Sequence, residues 1–98
     1  MGFKDAKEGA LRCLRSGDYA HAVRDEIDVK NLLACGLVTE EDVIALINRT
    51  KGNQHEERPH DNDRSVTVHI FKPQHKGVTW YIKFYFVEPG VMFISVHP

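Results

Sequence analysis

The residues best suited to chemistry alternate along one segment near the end of the sequence. From Trp80 to Val87 the chain reads WYIKFYFV, in which Tyr81, Lys83 and Tyr85 are separated by large apolar residues. Because successive side chains of a β-strand point to opposite faces, this alternation predicts one core face and one polar face. Runs of the same period on either side add residues to the polar face. The predicted polar face carries Thr67, His69, Tyr81, Lys83, Tyr85, Ser95 and His97.

This combination of side chains suits a nucleic acid strand. Lysine and protonated histidine neutralise phosphate, tyrosine rings stack on unpaired bases, and histidine transfers protons near neutral pH. These groups are sufficient to cleave RNA by attack of its own 2′-hydroxyl without a metal ion. Many one-sided antiparallel sheets show a similar polar face to solvent. A non-catalytic module that binds RNA or protein is therefore the alternative prediction.

An earlier segment supplies two more candidates. If residues 18–26 are helical, His21 and Arg24 share a face. Arg24 then either binds a phosphate or pairs with Asp25 or Asp28 in solvent. The predicted catalytic set is His21, Arg24, His69, Tyr81, Lys83 and His97. The predicted RNA-binding set is Arg64, Lys72, Lys76, Tyr85 and Ser95.

The distribution of charge agrees with an anionic partner for the C-terminal part. The net charge is −1. Residues 1–63 hold nine Lys or Arg and thirteen Asp or Glu, a net of −4, whereas residues 64–98 hold four and one, a net of +3. A cationic segment on an acidic remainder favours binding of an anion by the cationic segment.

Metal and cofactor sites are not predicted. His55 and His60 lie near Glu56, Glu57 and Asp61, but there is no HExxH motif and no cysteine among them. Two cysteines, Cys13 and Cys35, are expected to be buried and apolar in character. No apolar run approaches the length of about 18 residues that a membrane span needs. We therefore expect a cytoplasmic protein.

The predicted elements form one domain over residues 1–98. Helices are predicted at about 4–15, 27–35 and 40–49, because apolar residues recur there at spacings of three and four. Residues 18–26 are either a turn of helix or a loop. Residues 51–64 form a polar loop or a frayed edge strand, and strands follow at 65–71, 78–87 and 91–97. The predicted class is α+β, with three N-terminal helices (residues 3–50) packed on a three-stranded antiparallel β-meander (residues 65–98).

The C-terminal half resembles the MqsR family of bacterial toxins, which are ribonucleases of the RelE-like type. The resemblance rests on Lys72-Pro73, on Tyr81-Ile82-Lys83 and on the closing run Val91–Ser95. A related group of small bacterial domains shares the string Gly36–Val43 and the ending Ser95–Pro98.

This resemblance implies metal-independent cleavage of RNA and silencing by an antitoxin or immunity protein. It carries the active-site tyrosine of the family onto Tyr81. The catalytic lysine of the family falls at His97, its glutamine near Val68, and its upstream lysine near Glu56, where the charge is reversed.

Overall fold

The structure, a computed structural model, describes residues 1–23 and 30–98. Two helices are complete within these ranges, α1 (Phe3–Ser16) and α2 (Glu40–Arg49), and a short 3-10 helix covers Gly52–Gln54. The strands are β1 (Tyr19–His21), β2 (His55–Pro59), β3 (Thr67–Phe71), β4 (Gln74–His75), β5 (Val78–Thr79), β6 (Tyr81–Val87) and β7 (Gly90–His97). Over the described ranges, no helix combines the length and apolar character needed to cross a membrane.

Helix α1 forms as its pattern predicts. Its buried side chains recur at helical spacing, and its last turn ends at Gly17, which has φ 79°. Glycine adopts this left-handed conformation without the steric cost of a Cβ atom. The N–H groups of Gly17 and Asp18 donate to carbonyl groups of the last helical turn. The buried residues of α1 are Ala6, Gly9, Ala10, Leu11, Cys13 and Leu14.

Helix α2 begins at the predicted capping box. The hydroxyl of Thr39 accepts from the N–H of Asp42 at 3.1 Å, and the carboxylate of Asp42 accepts from the N–H of Thr39 at 2.9 Å. Both bonds satisfy donors that the first turn of a helix leaves without intrahelical partners. At the other end of α2, Lys7 of α1 donates to the carbonyl groups of Asn48 (2.7 Å) and Thr50 (3.0 Å). The two helices are thereby joined at the last turn of α2.

The sheet is larger than predicted and mixed. Five strands lie in the order β1-β7-β6-β3-β2, and β1 runs parallel to β7, while β4 and β5 form a separate hairpin. The predicted α+β class is correct. The predicted arrangement, in which three N-terminal helices pack on a three-stranded antiparallel meander, is wrong. Residues 55–59 form an edge strand, which is one of the two alternatives predicted for residues 51–64. Backbone pairing with β3 stabilises this strand, although it has no aliphatic side chain to form a period-two pattern.

The predicted helix at residues 27–35 is wrong for residues 31–35, whereas Lys30 is helical. Asn31 forms a parallel bridge with Val96, and residues 32–36 are turns. The first part of that segment, residues 27–29, lies outside the described residues. Cys13 is buried as expected, but Cys35 is exposed because it lies in these turns.

The core lies between the helices and one face of the sheet. Ile82 and Phe84 of β6 are fully buried there, and Trp80 and Phe86 are partly buried against the same cluster. The alternation of β6 is therefore confirmed. The core cluster includes Ala10, Leu14, Val43, Ile47, Phe71, Ile82, Phe84, Phe93 and Val96.

Candidate functional site: a cationic groove on the open face of the sheet

The face of the sheet opposite α1 and α2, called the open face below, displays the polar residues of β6. Tyr81, Lys83 and Tyr85 are all partly buried on this face, alternating with core residues. Their alternation makes one strand contribute two phenols and an ammonium group to the same surface.

A β-bulge brings two residues of β7 to the same face. Lys83 pairs with Ser95 and Phe84 pairs with Phe93, so Ile94 is the extra residue between the two pairs. Before the bulge, Phe93 points to the core; after it, Ser95 lies opposite Lys83 on the open face. Without the bulge, strict alternation would place Phe93 and Ser95 on the same face.

Tyr81 and His97 are direct partners across β6 and β7. Their rings stack with centroids 5.3 Å apart and an interplanar angle of 26°. His97 Nδ1 lies 2.9 Å from the oxygen of Pro98, which can only accept a hydrogen bond. The proton of a neutral His97 is therefore on Nδ1, and Nε2 keeps the lone pair that a general base needs.

Two adjoining cavities follow the open face, and Lys83 lines both. The first has a volume of about 310 Å³ and is lined by Lys30, Tyr81, Lys83, Ser95 and His97. The second has a volume of about 450 Å³; Val68, Lys83 and Ile94 line it, together with residues 22–23 and 58–62. We call the two cavities together the groove.

The groove is cationic. Among its described lining residues, Lys30, Arg58 and Lys83 are positively charged and Asp61 is the one acid. His60 and His97 add charge when they are protonated. An anionic strand is therefore the complementary ligand.

The connection between β2 and β3 forms one wall of the groove. The N–H of His60 donates to the carbonyl of Val66 at 2.9 Å, which folds this connection back on itself. The ring of His60 meets the ring of Tyr85 edge to face, with centroids 4.9 Å apart. Part of the segment predicted as a polar loop is thus built into the candidate site.

His69 does not belong to the groove, contrary to the prediction. It lies on the core face of β3, 2% exposed, where its ring stacks on Phe84 at a centroid distance of 5.6 Å. Thr67 alternates onto the same side of β3 as His69. Val68 and Ile70, on the open face, are also buried, and residues 58–62 lie beside Val68 in the cavity wall. With both faces of β3 covered, its alternation could not indicate which face was polar.

His21 also lies away from the groove, in strand β1 instead of a helix. Its Nδ1 is 3.0 Å from Nδ2 of Asn31, whose Oδ1 accepts from the N–H of Ala34 at 3.1 Å. The amide of Asn31 therefore donates to His21, which is neutral in this arrangement. Burial lowers the pKa of His21. Its predicted partner, Arg24, lies outside the described residues.

The predicted RNA-binding residues divide into two groups. Tyr85 and Ser95 lie on the open face, whereas Lys76 lies in the turn of the β4–β5 hairpin, which contacts α2. Lys72 donates to Glu56 at 2.7 Å, and this bond, followed by that of Arg58, holds the pKa of Glu56 below its ordinary value. Arg64 is exposed in the β2–β3 connection.

Three basic residues that line the groove were absent from the predicted site. Arg58 and His60 belong to a segment that reads as a polar loop, and Lys30 precedes turns that read as a helix. The sequence around Arg58 indicates its face only weakly, because residues 55–59 become a strand only by pairing with β3. No sequence signal connects Lys30 to the groove.

Comparisons with known proteins add no identification: no family model matches the chain, and neither curated proteins nor solved structures give a match. The MqsR-like reading stays a prediction from short motifs.

Proposed function

We propose that the groove binds single-stranded RNA and cleaves it without a metal ion. The observation that carries the proposal is the position of Lys83, which lines both cavities beside the stacked pair Tyr81 and His97. A phosphodiester next to Lys83 would have a cation for its charge and a proton-transfer group beside it. Unpaired bases would stack on the exposed parts of the groove's aromatic rings.

In the proposed reaction, Nε2 of His97 removes the proton from a ribose 2′-hydroxyl. The 2′-oxygen attacks the adjacent phosphorus, and the bond from phosphorus to the 5′-oxygen of the next nucleotide breaks. Tyr81 donates a proton to that leaving oxygen. Lys83, assisted by Lys30 at the cavity, neutralises the charge that accumulates on the phosphorane. The products are a 2′,3′-cyclic phosphate and a 5′-hydroxyl.

RNA binding without cleavage is the second candidate. It is favoured by the placement of His21 and His69 away from the groove, which leaves His97 as the one imidazole lining the smaller cavity among the described residues. A phenol is also a slower proton donor than an imidazole near neutral pH.

The two candidates are separated by incubating the purified chain with end-labelled single-stranded RNA in EDTA. Cleavage predicts cyclic-phosphate products and no products from DNA of the same sequence, which lacks the 2′-hydroxyl. His97→Ala and Tyr81→Phe are each expected to slow cleavage by about 10² to 10⁴-fold. His75→Ala, in the β4–β5 hairpin, is the matched control and should cleave at the wild-type rate.

Binding is measured on the same RNA by fluorescence anisotropy at several salt concentrations. Lys83→Ala should weaken binding and reduce the slope of log K against log salt by about 0.7, the value for one phosphate contact on a single strand. Lys76→Ala should change neither quantity. If the RNA stays intact but its binding weakens in Lys83→Ala as described, RNA binding without cleavage is supported. Absence of both binding and cleavage overturns the proposal.

We also propose a cytoplasmic location and a cognate antitoxin or immunity protein, as the MqsR-like resemblance implies. A partner that silences RNA binding would cover the open face and offer acidic side chains to Lys30, Arg58 and Lys83. Expression of the chain in bacteria without such a partner should arrest growth, and His97→Ala should relieve the arrest.

A further inference from the structure

Three potential metal ligands converge on the other face of the sheet, at the β2–β3 edge. His55 and Glu57 are two residues apart on β2 and so share a face, and Glu57 pairs directly with His69 of β3. All three therefore project toward the helix side, opposite the groove. Their ligand atoms lie within 4.8 Å of one another.

The distances among these atoms fit one metal ion. His55 Nε2 and His69 Nδ1 share a hydrogen bond of 3.0 Å, whose proton a bound metal ion would displace, and Glu57 Oε1 is 3.9 Å from each nitrogen. In this triangle a point about 2.05 Å from both nitrogens is about 2.2 Å from the oxygen, which matches the bond lengths of Zn²⁺ to imidazole and carboxylate. All three atoms can therefore reach one ion, which would lie in their common plane. A small rotation of the half-exposed Glu57 side chain would leave the ion out of that plane and open the fourth tetrahedral position.

The surroundings favour a metal site over a simple ion pair. The distance of 3.9 Å from Glu57 to either nitrogen is too long for a hydrogen bond. The side chains of His55 and His69 are 8% and 2% exposed, whereas that of Glu57 is 45% exposed. The imidazoles are held by aromatic packing, Phe3 and Phe71 lying against His55. Access for an ion is through the side of Glu57.

We propose that His55, Glu57 and His69 bind a Zn²⁺ ion. Two imidazoles exclude Mg²⁺ and Ca²⁺, which prefer oxygen ligands, and the His₂-carboxylate set is one that zinc uses when a fourth position is left to water. Bound zinc would join the edge strand β2 to β3. The site goes beyond the proposed RNA cleavage, which takes place on the opposite face and proceeds in EDTA.

The full chain is first stripped of metal with EDTA and dialysed. Zn²⁺ alone is then titrated into the chain in competition with a chromophoric chelator, which gives the dissociation constant and the number of ions bound per chain. We expect one Zn²⁺ per chain. At a free Zn²⁺ concentration about 100 times the dissociation constant, the melting temperature should rise by about 10 to 20 °C. Co²⁺ in place of Zn²⁺ should develop visible absorption bands that Zn²⁺ abolishes.

Two neighbouring glutamates provide a matched pair of variants. Glu57→Gln removes a ligand at a half-exposed position and should weaken Zn²⁺ binding by about 100-fold or more. Glu56→Gln alters the next residue, which faces the opposite side of the same strand, and should bind as the wild type does. His55→Ala should abolish binding; if that variant does not fold, the Glu57 and Glu56 pair still decides. Equal affinity of those two variants, or no saturable binding at one ion per chain, overturns the proposal.

Discussion

Replacing Gly90 with alanine tests the close approach of β1 to β7. A Cβ atom at Gly90 would lie 2.1 Å from the carbonyl oxygen and 2.8 Å from the carbonyl carbon of Asp18. Non-bonded heavy atoms are in favourable contact at about 3.5 to 4.0 Å. The obstacle is backbone, which cannot rotate away as a side chain does. The same oxygen accepts from the N–H of Val91 at 3.0 Å, so relieving the clash opens the start of the β1–β7 pairing.

The expected cost follows from these contacts. Overpacking at a site that cannot relax costs about 1 to 3 kcal/mol, and each lost backbone hydrogen bond adds about 1 kcal/mol. We expect Gly90→Ala to lower the free energy of unfolding by about 3 kcal/mol. With a urea m-value of about 2 kcal/mol/M, the unfolding midpoint should fall by about 1.5 M.

Urea unfolding followed by tryptophan fluorescence and by circular dichroism measures this shift. Gly52→Ala is the control, because a Cβ atom there would meet Phe3 at 3.7 Å, an ordinary contact. That variant should unfold within about 0.3 M of the wild type, a shift of about 0.5 kcal/mol. If Gly90→Ala behaves in the same way, the distance between β1 and β7 is larger than described, and the reasoning fails.

Two further predictions concern the attachment of β1. The hydroxyl of Tyr19 donates to Glu40 at 2.5 Å, and burial, followed by this carboxylate, raises the pKa of Tyr19 to about 12. Tyr19→Phe should therefore lower the free energy of unfolding by about 1 kcal/mol, as measured by urea unfolding at pH 7. An unchanged free energy of unfolding would contradict a stabilising hydrogen bond. Burial lowers the pKa of His21, so its contribution to stability is complete above the ordinary value of about 6.5 and is lost as the pH falls through the lowered value. Urea unfolding from pH 7.5 to pH 5 should therefore show a steeper loss of stability for the wild type than for His21→Gln, and parallel curves would refute this assignment.

Local signals in the sequence were sufficient for both helices. Thr39 and Asp42 form the predicted capping box, and Gly17 ends α1 as expected, since each signal depends on residues within one turn of the helix terminus. The alternation of Tyr81, Lys83 and Tyr85 also identified the open face correctly, because β6 has one buried face along most of its length.

Strands that are stabilised by a distant partner were either missed, as β1 was, or left as one of two alternatives, as β2 was. Strand β1 has three residues and pairs in parallel with β7, some 70 positions later. Strand β2 is polar throughout, so its pairing with β3 leaves no hydrophobic period to detect. In both cases the strand is specified by backbone hydrogen bonds to a neighbour, and these carry no side-chain signature.

The sequence by itself determined the residue types of the groove and the strand that presents Tyr81 and Lys83. The sequence analysis also predicted Ser95 and His97 on this face, but only the tertiary structure added Lys30, Arg58 and His60 and removed His69. The bulge at Ile94 leaves Phe93 in the core while Ser95 and His97 lie on the open face. The pairing of His69 with Phe84 across β3 and β6 places His69 on the core face, beside His55. The physical reason is that a one-residue change of register reverses the face of every following side chain, and register is fixed between strands.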